Sequence, residues 1–80
     1  MSGCWWPALS PLDARVLRAT DPLLTCSVQR VALVAGCGED VARSSLGRLR
    51  RWLLVENDRS SRPARWRRTV YGDVALEHEP

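Results

Sequence analysis

The chain has 80 residues, 45% hydrophobic and 26% charged, with a formal net charge of +3. That length admits one small domain, and the composition is that of a folded globular chain rather than a disordered tail or a fibre. The longest uncharged apolar run, Val31 to Cys37, is far short of the roughly 20 residues that a membrane-spanning helix needs. The first ten residues carry no cation and lack the charged-then-apolar order of a secretory signal, so a cytoplasmic protein is expected.

Cys4, Cys26 and Cys37 are odd in number and spaced 22 and 11 apart, which fits neither a disulfide framework nor a paired-cysteine metal knuckle. With His78 the only histidine, no metal or other cofactor is expected, and the thiols read as reduced, small hydrophobes. No Gly-rich phosphate loop, nucleophile motif or usefully spaced carboxylate pair occurs, so no enzyme and no small-molecule ligand are expected.

In chain order, residues 1–9 form an N-terminal arm. Its Trp5 and Trp6 either fold back on the first helix or offer a patch for a second copy of the chain. Ser10-Pro11-Leu12-Asp13 starts a helix, with serine as N-cap, proline at the first position and aspartate near the positive dipole end. Leu12, Val16, Leu17 and Ala19 mark its apolar face to about Thr20, where Asp21-Pro22 breaks it. Leu23 to Cys26 is a short connector able to extend. Ser27 caps a second helix with Val28, Val31, Ala32 and Ala35 inward, which Gly36 stops. A third helix, over residues 39–52, is capped by Gly38 or Cys37 and has Glu39 and Asp40 in its first turn. It turns Ala42, Leu46, Leu49 and Leu53 inward, and Ser44, Gly47, Arg48 and Arg51 outward with Arg43 and Arg50 beside them.

Leu53 to Glu56 is read as a strand, Asn57 to Pro63 as a turn-rich cationic tip, and Trp66 to Tyr71 as the returning strand of a β-hairpin. Trp52 and Trp66 are expected to close the seam between hairpin and helices. Residues 73–80 are expected to be an acidic, disordered tail.

All twelve cations are arginine, and they are not evenly spread. Residues 1–42 net −1, residues 69–80 net −3, and residues 43–68, with nine arginines against Glu56 and Asp58, net +7. Such a stripe steers polyanions, which makes nucleic acid the leading partner class.

The stretch Val31-Ala32, Gly36-Cys37, Ala42, Leu46-Gly47-Arg48-Leu49 and Leu53-Leu54-Val55-Glu56, followed by Arg62-Pro63-Ala64-Arg65, resembles winged helix-turn-helix domains of MarR- and PadR-type bacterial transcription regulators. The similarity covers residues 10–72. Leu53 stands where the family usually has glycine, and Cys37 where it usually has leucine. The resemblance implies a mainly α fold with a small β-hairpin (α+β), a three-helix winged helix-turn-helix that binds double-stranded DNA as a repressor, regulator or phage- or plasmid-type accessory factor at the nucleoid. On that basis Arg43, Ser44, Gly47, Arg48 and Arg51 would face the major groove, and Arg59, Arg62 and Arg65 would sit on the wing. Arg50, Arg67 and Arg68 would clamp phosphates. Arg48 would be the first choice for bidentate guanine readout. The alternatives are a winged-helix protein-interaction module, or an RNA-binding domain of the same fold, because this fold hosts several functions.

Overall fold

Hydroxyl side chains open three of the helices in the computed structural model, which describes residues 6, 8–60 and 63–78. Ser10 Oγ accepts from the Asp13 N–H at 3.1 Å and starts α1 (Pro11–Ala19). Ser27 Oγ accepts from the Arg30 N–H at 3.1 Å and starts α2 (Val28–Ala35). Thr69 Oγ1 accepts from the Gly72 N–H at 3.1 Å and starts α4 (Val70–Glu77). α3 (Glu39–Arg51) begins after Gly38 with no side-chain cap, but Glu39 and Asp40 lie in its first turn, where the helix dipole favours negative charge.

Two helices end in the same way. After α2, Gly36 takes a left-handed φ of 74°, and the Cys37 N–H reaches back to the Ala32 carbonyl at 3.0 Å. After α3, Leu53 takes a φ of 65°. Its N–H bonds the Arg50 carbonyl at 2.9 Å, and the Leu54 N–H bonds the Leu49 carbonyl at 3.0 Å. Both are Schellman turns, and in the second Leu49 and Leu54, at the two positions that usually carry the motif's hydrophobic pair, are both buried in the core. Leu53 is therefore 58% exposed rather than inward as its helical spacing suggested: α3 has already stopped, and Leu54 takes the core position. A leucine in left-handed backbone is strained by about 1–2 kcal/mol. Leu53→Gly is expected to raise unfolding free energy by about 0.5–1 kcal/mol after the entropy cost of glycine, read as a higher Tm in a thermal melt.

β1 (Val55–Asp58) and β2 (Arg65–Arg68) pair antiparallel, with Val55 opposite Arg68, Glu56 opposite Arg67, Asn57 opposite Trp66 and Asp58 opposite Arg65. On its other edge β2 meets the connector: Cys26 and Trp66 exchange both backbone hydrogen bonds at 2.7 Å. The connector is held in place by Asp21, whose Oδ1 accepts from the Leu23 and Leu24 N–H groups at 2.7 and 2.9 Å. The first strand runs on through Asn57 and Asp58, which the sequence placed in the turn.

The core is built from Val16 and Leu17 of α1, Val31, Ala32 and Ala35 of α2, and Ala42, Leu46 and Leu49 of α3. Leu54, Val55, Trp66 and Ala75 complete it. Trp52 packs against this cluster, and so does the half-buried Trp6; Trp5 lies outside the described residues. Cys26 and Cys37 are half-buried free thiols. The described residues are thus mainly helical with a two-stranded antiparallel hairpin, an α+β arrangement. None of their helices is long and apolar enough to cross a membrane.

The structure departs from the sequence reading after Arg68. The returning strand stops there, and residues 70–77 form a helix where the reading had strand to Tyr71 and a disordered acidic tail. Two things hold α4. Ala75 is buried in the core, and the Thr69 backbone N–H and hydroxyl donate to the Leu54 and Leu53 carbonyls at 3.1 and 2.6 Å.

Candidate nucleic-acid interface

Helical periodicity decides which residues α3 offers to solvent. With Ala42, Ser45, Leu46 and Leu49 buried, the opposite face presents Arg43, Ser44, Gly47, Arg48, Arg50 and Arg51, all exposed. Between this face and β1 lies an open groove of about 860 Å³ with Ser44, Gly47 and Arg51 on one wall and Glu56 and Asn57 on the other. A Cβ added at Gly47 would meet nothing within 4 Å, so the middle of the face is flat.

The arginines divide by what they touch. Arg43 pairs with Asp40 at 3.3 Å, but both side chains are open to water, and an exposed pair of this kind is worth little. Arg50 and Arg51 are exposed on α3, and Arg59 is exposed in the hairpin turn; none of the three has an acidic partner among the described residues. Arg62 lies outside the described residues.

The other four are engaged by partners within the fold. Arg48 Nη2 donates to Asp13 Oδ1 at 2.8 Å and its Nε to Oδ2 at 3.3 Å, tying α3 to α1. Arg65, expected on the wing, turns back to the connector, donating from Nε to Thr25 Oγ1 and from Nη2 to the Thr25 carbonyl, both at 2.8 Å. Arg67 Nη2 lies 3.0 Å from Glu56 Oε2 across the strand pair. Arg68, only 15% exposed, places Nε 3.0 Å from Asp73 Oδ1, too poorly aligned for a hydrogen bond, and Nη1 3.4 Å from the Leu17 carbonyl. It is a strap between β2, α4 and α1, where the sequence reading had a phosphate clamp.

Asp13 is the acidic residue that the sequence reading missed as a site component. Its Oδ1 also accepts from the fully buried Ser45 hydroxyl at 2.6 Å. Burial pushes the Asp13 carboxyl up, but hydrogen bonds from Arg48 and Ser45, the charge of Arg48 and a hydrogen bond from Ser10 outweigh it and hold the group below its ordinary 3.8. A depressed carboxyl stabilises the fold above its unfolded pKa, and that contribution is lost as pH falls through the folded value. Asp13→Asn is expected to cost about 1–2 kcal/mol at neutral pH. The gap between wild type and variant should be constant above about pH 5 and close below 3.8, as read by urea denaturation across the acid range.

Asn57 is the other unanticipated component. It reaches the groove from β1, and its amide oxygen is buried without a partner among the described residues. No local signal marks it, since its position depends on how far the strand runs. Among the described residues no three His, Cys, Asp or Glu side chains are grouped to hold a metal ion.

No protein-family model, no curated protein and no solved structure matches the chain. The functional reading therefore rests on the surface just described.

Proposed function

We propose that the chain is a non-catalytic winged helix-turn-helix module that binds double-stranded DNA, with α3 in the major groove and the hairpin against the backbone or minor groove, acting as a small regulator or accessory factor. The observation that carries this is the exposed face of α3, where Arg43, Ser44, Gly47, Arg50 and Arg51 lie opposite the buried Ala42, Leu46 and Leu49. Helix dimensions suit a major groove about 12 Å wide. Arg43 and Ser44 can donate to base edges, the flat spot at Gly47 lets the duplex come close, and Arg50, Arg51 and Arg59 meet phosphates, which set register and affinity without reading sequence.

The test is a fluorescence-anisotropy titration of duplex DNA over a range of salt. Three phosphate-contacting arginines correspond to a log–log salt slope of about −2.7. A slope near zero, or tighter binding to single-stranded RNA, would overturn the reading. Gly47→Ala separates the surface from the fold. Removing a mid-helix glycine is expected to raise stability by about 0.5–1 kcal/mol, while the added methyl weakens DNA binding. Opposite signs in the melt and the titration exclude misfolding as the cause.

A further inference from the structure

Of the exposed residues on α3, Arg48 is the one whose charge is met by a fixed anion. Its guanidinium borders the same groove as Ser44 and Arg51, yet two of its donors are taken by the two oxygens of Asp13. The Asp13 side chain is 14% exposed while that of Arg48 is 48% exposed, so the anion is the anchored partner. The buried Ser45 hydroxyl at 2.6 Å and the first turn of α1 hold it in place. The neighbouring Arg43–Asp40 pair is built differently. It is one contact at 3.3 Å between exposed side chains three residues apart, and water or a phosphate can replace either partner.

We propose that Asp13 is a positioning residue that withholds Arg48 from the DNA backbone, occupying the guanidinium with an internal carboxylate so that it adds no sequence-independent affinity. This rests on the DNA-binding reading above. A phosphate approaching Arg48 meets a pair of zero net charge whose acid cannot swing away, because Ser45 and α1 fix it. Strongly basic faces bind all duplexes alike through counterion release. Neutralising one central cation from within shifts the balance on α3 toward contacts that depend on base identity, and leaves Arg43, Arg50 and Arg51 as the cations that act.

The experiment is the salt dependence of binding to a random-sequence duplex for wild type, Asp13→Asn, Arg48→Gln and the double variant. Asparagine keeps an acceptor for Ser45 but drops the charge. Asp13→Asn is expected to steepen the slope by about 0.9, an advantage that grows about eightfold for each tenfold dilution of salt. Arg48→Gln should leave the wild-type slope unchanged, and the double variant should return to it. A purely structural Asp13 would lower stability without steepening the slope, which overturns the inference. So does a double variant that keeps the gain, since the effect is then general charge rather than Arg48. So too does an Arg48→Gln slope shallower by about 0.9, because Arg48 then already contacts phosphate. If Asp13→Asn does not fold, Arg48→Gln alone decides on that last criterion. A wild-type slope near zero overturns the DNA reading and the inference with it; a normal wild-type slope with an unchanged Asp13→Asn slope overturns only the inference.

Discussion

Gly72→Ala is expected to destabilise the fold by about 3 kcal/mol, lowering Tm by roughly 12–24 °C for a domain of this size. Helix propensity alone argues the opposite, because alanine is favoured over glycine by about 1 kcal/mol within a helix. Packing decides the sign. A Cβ on Gly72 would overlap the Leu54 carbonyl oxygen, lie 2.6 Å from Arg68 Cγ and press on Leu17 Cδ1. The carbonyl cannot yield without losing the Thr69 N–H that it accepts, so α4 must lift from the Schellman turn and take Ala75 out of the core. A thermal melt with circular dichroism gives the result directly, and an alanine variant as stable as wild type would mean that α4 does not dock on Leu54.

On the binding side, the largest loss is expected from replacing Arg50, Arg51 and Arg59 together by glutamine. Each lost phosphate contact takes about 0.9 from the salt slope, so three remove about 2.7, equivalent to several hundredfold in affinity per tenfold dilution of salt. Stability should move little, since the three side chains are exposed without buried partners, and Arg50 and Arg51 lose only a favourable place at the C-terminal end of the α3 dipole, about 0.5 kcal/mol each. Arg68→Gln provides the contrast. It is expected to lower Tm through the Asp73 and Leu17 contacts while leaving the salt slope as it was. Anisotropy and melting on the same preparations separate the two classes of arginine, and a triple variant that kept the wild-type slope would remove these three arginines from the interface.

Much of the helical part is legible locally. Ser10, Ser27 and Gly36 act within three or four residues of themselves, and the observed helices begin and end where those signals stand. The outward face of α3 follows from the period alone. Other features lie beyond a local reading for identifiable reasons. Six residues from Trp66 to Tyr71 satisfy an alternating pattern, and the Thr69 cap with Val70, Val74 and Ala75 also fits a helix; the docking on the Leu54 carbonyl selects between them. The arginine cluster looks uniform in sequence, but the partners that sort it are distant in the chain: Asp13 for Arg48, Thr25 for Arg65 and Leu17 for Arg68. Net charge along the chain located the basic surface and overstated its free cations, because ion pairing is a tertiary property.

The Thr69 hydroxyl both donates to the Leu53 carbonyl and accepts from the Gly72 N–H, so the end of α3 and the start of α4 share one oxygen atom. Substitutions at Leu53 and Gly72 will therefore not act as independent changes. A glycine at 53 loosens the carbonyl that Thr69 holds, and the tolerance of position 72 to a side chain then depends on what stands nineteen residues earlier. The effects of changes at the two sites are expected to be non-additive, as a double-mutant cycle of Leu53→Gly and Gly72→Ala would measure.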